Sequence, residues 1–177
     1  LLTLARVNET EGLALSRSSF PWGELADGVV RRFAPRARAE GREIVVELED
    51  PSATVEGDRA RLEQALGNLV DNALQYTPAG GTVTARVTPD PFGQVVVLQV
   101  EDTGPGIPEQ ALTKVFKRFY SERPQAEFGK HSGLGLAISK QIVEAHGGVI
   151  WAENIRPTDA DITSDPLGAR FVVGLPV

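Results

Sequence analysis

The stretch from Thr82 to Glu101, "TVTARVT" and "QVVVLQVE" on either side of "PDPFG", constrains this chain more than any other. Two segments rich in β-branched and apolar residues flank a short run that carries Pro and Gly, and that pattern predicts a β-hairpin. A hairpin makes its strands antiparallel neighbours, so any sheet built around it is antiparallel or mixed.

Helical and strand patterns interleave around the hairpin. Pro21 opens a helix to about Glu40, with Leu25, Val29 and Phe33 along one side and Gly41 as its stop. "LALSRSSF" before it, "EIVVEL" and "ATVEG" after it, and "VIWAEN" and "ARFVVGLP" near the end of the chain read as strands. Asp58 caps a long helix that runs to Tyr76 and stops at "TPAGG". Glu101 to Ser132 is irregular, punctuated by Gly and Pro, with one amphipathic piece near "ALTKVFKRFY". A further helix, Ala137 to His146, ends at Gly147-Gly148, where His146 reads as an ordinary helix-terminal cation. "LLTLARVNE" at the start has the look of a helix end. The predicted class is α+β, a two-layer sandwich of an antiparallel or mixed sheet with helices on one face.

With 177 residues and 41% hydrophobic content, the chain supports one domain of ordinary size and a short appendage. Its formal net charge of -6 disfavours a general nucleic-acid binder. The absence of cysteine excludes disulfides and thiolate metal sites. No apolar run approaches the ~18 residues of a membrane span, so the chain reads as not inserted in a membrane. It opens on Leu1 and holds no Met, which reads as a fragment of something longer.

Three groups of residues carry chemistry. At about 100° per residue, the helix from Asp58 gathers Leu62, Leu66, Leu69, Ala73 and Tyr76 into an apolar arc, with Asn68 and Asn72 together on its flank. These amides are either ordinary surface or capping groups or oxygen ligands for Mg²⁺, a hard cation that needs only one or two protein oxygens when phosphates and waters complete its shell. In "VEDTGPGIP", Asp102 stands where an apolar strand runs out. A carboxylate there can accept a hydrogen bond from an exocyclic amine such as that of adenine, and Gly104 and Gly106 let the backbone approach a flat ring. An Asp-led turn explains the same residues. In "FGKHSGLGLAISKQIVEAHGG", Gly129-Lys130 is followed by His131 rather than Ser or Thr, which excludes a Walker loop, and Gly133-Leu134-Gly135 lacks the third glycine of a dinucleotide fingerprint. Gly133 and Gly135 still deliver a glycine loop to a helix N-terminus, a place that favours phosphate or is simply a turn.

The order of these groups closely resembles the catalytic ATP-binding domain of bacterial two-component sensor histidine kinases, whose superfamily takes in gyrase, the Hsp90 chaperones and MutL. "LGNLVDNALQYTPAGG" is similar to the N box, Asp102, Gly104 and Gly106 to the first glycine box, Phe116 and Phe119 in "VFKRFY" to the F box, and "GLGLAISKQIVEAHGG" to the second glycine box. "FYSERPQAEFGKHSGLGLAISKQI" looks most like the ChvG type of envelope sensor. The resemblance spans residues 13–177, and 1–12 look like the end of the preceding dimerisation and phosphoacceptor helix.

The resemblance implies a Bergerat ATP-binding fold with a mobile ATP lid at about Ile107 to Ser132. It implies ATP and Mg²⁺ as ligands, with Asn72 and Asn68 holding the metal in the catalytic centre, Asp102 reading adenine and Tyr76 stacking on it. Gly104, Gly106, Ile107, Phe119, Lys130, His131, Ser132, Gly133, Leu134, Gly135 and Leu136 would surround the nucleotide. The implied chemistry is γ-phosphoryl transfer to a histidine of a separate dimerisation domain, with a response regulator downstream. The whole sensor would be a membrane-anchored homodimer with this part in the cytoplasm, and the fragment alone a monomer. Four departures stand out: Gln75 replaces a frequent Lys, Ser121 a frequent Arg, and Ala169 a frequent Thr or Ser, while neither His131 nor His146 resembles a phosphoacceptor. Arg118, Arg123, Lys130 and His131 are candidates for the missing positive charge. The alternatives are a non-catalytic nucleotide-binding module and an ATPase or Ser/Thr kinase of the same superfamily. The latter typically needs a Glu base where Asn68 stands.

Overall fold

The computed structural model describes residues 14–50, 53–90, 92, 94–120, 134–158 and 163–176. Among these residues, seven strands and three α-helices follow in the order β1 (Ser18–Pro21), α1 (Trp22–Ala39), β2 (Glu43–Leu48), β3 (Thr54–Gly57), α2 (Arg59–Tyr76), β4 (Thr82–Pro89), β5 (Val95–Asp102), α3 (Gly135–Ala145), β6 (Val149–Ile155) and β7 (Gly168–Pro176). Five strands form the main sheet in the order β2-β4-β5-β7-β6, and β1 and β3 form a small sheet of their own. β4 and β5 are the antiparallel hairpin that the sequence predicts, while β2 runs parallel to β4, so the sheet is mixed. The three helices cover one face, which makes the chain a two-layer α+β sandwich.

The period of two explains the layers. Val83, Ala85 and Val87 of β4 and Val96, Leu98 and Val100 of β5 are buried, and the residues between them are half-buried on the other face. The buried set meets Leu25, Ala26 and Val29 of α1, Leu62, Leu66, Leu69 and Leu74 of α2, and Ile142 and Val143 of α3. The outer face is polar along one row: Glu47, Arg86, Glu101, Arg170 and Glu153 form a chain of ion pairs across all five strands, with N–O distances of 2.5–3.1 Å. Alternating signs on neighbouring strands let that face meet water without like-charge repulsion.

Several elements differ from the sequence reading. "LALSRSSF" is a strand only from Ser18, and Pro21 closes that strand as the extended N-cap of α1 instead of opening the helix. Pairing of Phe20 with Val55 and of Pro21 with Thr54 keeps the chain extended to that point. The piece near "ALTKVFKRFY" is a 3₁₀ turn, Glu109–Ala111, followed by separate turns, because Val115 and Phe116 turn into the core and Phe119 adopts φ 62°. α3 starts at Gly135, two residues before the predicted Ala137. Residues 1–13, which hold the predicted helix end, lie outside the described residues.

The N-terminus of α2 is a small network. Asp58 Oδ1 accepts the Arg61 N–H at 3.2 Å and Oδ2 accepts the Ser16 N–H at 3.0 Å. The Asp58 N–H donates to His146 Nε2 at 3.0 Å, and His146 Nδ1 lies 2.8 Å from the Ile142 carbonyl. Both ring nitrogens of the buried His146, the C-cap residue of α3, are thus engaged, and the side chain ties the end of α3 to the start of α2. Gly57 makes room for it, since a Cβ there would fall 2.8 Å from His146 Cδ2.

Burial opposes the Asp58 charge, but the Ser16 and Arg61 hydrogen bonds outweigh it and hold the carboxyl below its ordinary 3.8. A depressed folded pKa stabilises above the unfolded value, and the contribution disappears as pH falls through the depressed value. Asp58→Ala is expected to cost about 1–2 kcal/mol in urea unfolding at pH 7. Asp58→Asn keeps a capping oxygen and should cost less, and both variants should lose the part of the stability that the parent sheds below about pH 4.

Candidate functional site

α2 and α3 lie side by side in opposite directions, in a register fixed by polar contacts. Near one end Asp58 meets His146, at the middle Ser139 Oγ donates to the Ala65 carbonyl at 2.9 Å, and at the far end Asn68 Nδ2 donates to the Gly135 carbonyl at 3.1 Å. The last contact places the start of α3 against the amide-bearing flank of α2. Leu134 is the N-cap of α3 and its carbonyl accepts the Ile138 N–H at 2.9 Å. The N–H groups of Gly135, Leu136 and Ala137 therefore have no carbonyl within the helix, and they stand at its positive end. Asn72 is half-buried one turn further along α2 than Asn68.

A second element approaches from the sheet. Asp102 is buried at the end of β5, where Oδ1 accepts the N–H of Gly104 at 2.9 Å and that of Ala169 at 3.2 Å. The loop after it fits tightly against its neighbours. A Cβ on Gly104 would run into the Tyr76 carbonyl at the end of α2, and one on Gly168 would overlap the Asp102 carbonyl. Gly106 takes φ 81°. Ile107 is buried, and the Asn154 carboxamide holds its main chain with Oδ1 on the N–H at 2.8 Å and Nδ2 on the carbonyl at 2.7 Å. Tyr76 is itself buried, 7% exposed.

The F-box phenylalanines part company. Phe116 packs edge-on against Phe171, with centroids 5.9 Å apart, and the Lys140 ammonium lies 5.9 Å from the Phe116 centroid. Phe119 is 72% exposed in a left-handed conformation that aromatic residues rarely adopt. Lys130, His131, Ser132 and Gly133 of the predicted site lie outside the described residues, as do Ser121, Arg123 and the rest of the lid beyond Tyr120. The structure thus brings together Asn68, Leu134, Gly135 and Leu136 on the helical side and Asp102, Gly104, Gly106, Ile107 and Tyr76 on the loop side.

Sequence reasoning missed Asn154. It belongs to none of the motif boxes, and a single Asn at the end of "VIWAEN" gives no signal of its pairing with Ile107. Among the described residues no group of three or more His, Cys, Asp or Glu could hold a metal. The neutral amide oxygens of Asn68 and Asn72 on α2 could serve Mg²⁺, beside a helix N-terminus of the kind that favours phosphate.

The two-layer α+β domain thus carries an amide flank on one helix, the N-terminus of another beside it and a buried carboxylate at a strand end. The family described as histidine kinase-, DNA gyrase B- and HSP90-like ATPase matches residues 57–177, and the chain belongs to it. The sensor protein ChvG of Rhizobium meliloti (strain 1021) is 44% identical over 137 residues, which cover 75% of this chain and 23% of that protein. The chain thus spans about a quarter of that relative's length. The structure of the mycobacterial sensor histidine kinase MprB superposes with a TM-score of 0.74 at 33% identity, covering 91% of this chain and 97% of that one. Histidine kinase ThkA, in its complex with the response regulator protein TrrA, gives 0.74 at 29%, covering 92% of this chain and 42% of that one.

Gly104→Ala tests how closely the loop is seated. Its Cβ must displace the Tyr76 carbonyl, so unfolding should become easier by about 1–3 kcal/mol. Gly28→Ala, where a Cβ meets nothing within 4 Å on an exposed helical position, should be neutral or stabilising in the same melts.

Proposed function

We propose that this chain binds Mg²⁺-ATP and transfers the γ-phosphoryl group to a histidine on the dimerisation domain of a two-component sensor kinase. The observation that carries this reading is the Asn68–Gly135 hydrogen bond, which joins the N box to the helix start of the second glycine box. The phosphates would lie at that joint, against the N–H groups of Gly135, Leu136 and Ala137. Asn72, with Asn68, would hold the metal, whose charge offsets that of the phosphates. On the loop side, the N–H groups of Gly104 and Ala169 fix the Asp102 carboxylate in one orientation, and its acceptor character matches the exocyclic amine of adenine. Transfer then needs little covalent participation by the protein and depends on positioning and charge.

The acceptor belongs to another domain. His146 is buried and both of its ring nitrogens are engaged, so a γ-phosphate at Asn72 has no route to it. Residues 1–12 would end the helix of the dimerisation domain, and the whole sensor would be a homodimer. The ThkA–TrrA complex supports a response regulator as the downstream partner. Among the described residues no helix is long and apolar enough to cross a membrane, and a cytoplasmic setting follows from the use of ATP.

Titration calorimetry with Mg²⁺-ATP tests the site. Asn72→Ala should weaken binding at least about tenfold, and unchanged affinity would remove Asn72 from the metal. With γ-labelled ATP, phosphohistidine should form on a supplied dimerisation domain and not on this chain; stoichiometric phosphohistidine on this chain alone would overturn the assignment.

Asp102→Asn should separate the bases. An amide can present its NH₂ to the adenine amine, leaving two donors face to face, so adenine nucleotides should lose about 1–3 kcal/mol of binding. Equal losses for ATP and GTP in a competition assay would argue against base reading.

A further inference from the structure

We infer that Asn154 is a positioning residue for the nucleotide: by clamping both main-chain polar groups of Ile107, it fixes the loop from Asp102 to Ile107 in its binding shape. This role rests on the proposed function. β5 ends at Asp102 and the loop leaves the sheet there, so among the described residues the Ile107 peptide has no neighbouring strand to pair with. Ile107 is nevertheless 2% exposed, and buried backbone groups without partners are costly. Asn154, one residue from the end of β6, supplies from a side chain the donor and the acceptor that a strand would supply. Two opposed hydrogen bonds fix the orientation of the backbone as well as its position, which a single one does not.

The surroundings make this a seated contact. A Cβ on Gly106 would fall 2.8 Å from Asn154 Oδ1 and 2.7 Å from Pro166 Cβ, so the loop lies directly on the clamp. Asn154 Nδ2 also lies 3.3 Å from Glu109 Oε1, and the same oxygen receives Arg156 Nη2 at 2.5 Å. Arg156 in turn donates to the Ser164 carbonyl. These bonds from Arg156 and then Asn154 keep the Glu109 carboxyl below its ordinary range, so the clasp continues into the first turn after the loop.

Both ends of the loop are therefore held, Asp102 by Gly104 and Ala169 and Ile107 by Asn154, with two glycines and a proline between. A loop ordered in advance spares the ligand the entropy of ordering it, whereas a loop freed at Ile107 places that cost on binding.

The test compares the parent chain with Asn154→Ala and with Asn154→Ser, the second serving should the first fail to fold. ATP and ADP affinities are measured by calorimetry below the melting transition of each protein, and exchange of the Ile107 amide is followed by NMR without nucleotide. The parent should protect the Ile107 amide, and Asn154→Ala should lose that protection. ATP and ADP should both bind about tenfold more weakly to Asn154→Ala, by the same factor because the γ-phosphate does not meet this loop. A merely structural role would lower the melting temperature and leave the affinities of the folded variant unchanged, which would overturn the inference, as would equal Ile107 exchange in both proteins. Failure of the parent to bind either nucleotide would sink the proposed function and this role with it, whereas normal parent binding with an unaltered variant sinks this role alone.

Discussion

The hydrogen-bonded seam between α2 and α3 is the constraint on which the helical half of the site depends. Asp58 with His146, Ala65 with Ser139 and Asn68 with Gly135 form one antiparallel register, and a shift of one residue would break all three at once. Leu62, Leu66 and Leu69 of α2 and Ile142 and Val143 of α3 belong to one common core. Apolar packing supplies attraction without direction, so the polar contacts are what select this register among neighbouring ones. Once it is set, the positive end of α3 cannot lie anywhere but beside the amides of α2.

The sheet half of the site depends on β5 being the middle strand. Flanked by β4 and β7 over its length, it delivers Asp102 to a point where two strands and the end of α2 converge. Gly168 opens β7 against the Asp102 carbonyl, at a distance that no side chain permits. The ion-pair row on the opposite face adds little energy per pair, since its outer members Glu47 and Glu153 are half-exposed. Its central Glu101 is more enclosed and takes a guanidinium on each side, next to Asp102 in sequence and on the reverse face of the same strand. The alternation that points Asp102 into the site points Glu101 into this row.

The long, patterned elements were legible. The hairpin, the Asp58 cap and the α2 helix follow from period, turn residues and a capping side chain, all local properties of the chain. The local rules failed where a distant partner decides. Pro21 reads as a helix opener until β3 pairs with it, and the amphipathic piece near "ALTKVFKRFY" takes its shape only where Phe116 meets Phe171 in the core. The site was half legible for the same reason. Glycines in the Asp102 loop and before α3 mark themselves, because few other reasons place so many together, but Asn154 acts through a contact 47 residues away and looks like any strand-end Asn.

The departures from the family pattern take on different weights in this light. Ala169 lacks the hydroxyl of the usual Thr or Ser, yet position 169 holds Asp102 through its backbone N–H, a contact that no side-chain change there removes. Loss of the hydroxyl therefore leaves the carboxylate's orientation intact and touches only what a hydroxyl could add beyond it. In the proposed function Gln75 is the heavier change, because an amide cannot supply the charge that a lysine would bring to the phosphates. The helix N-terminus at Gly135 carries about half a unit charge. In the proposed function the rest of the phosphate charge falls to the metal and to basic residues of the lid, so a neutral residue at position 75 makes nucleotide binding lean more on both.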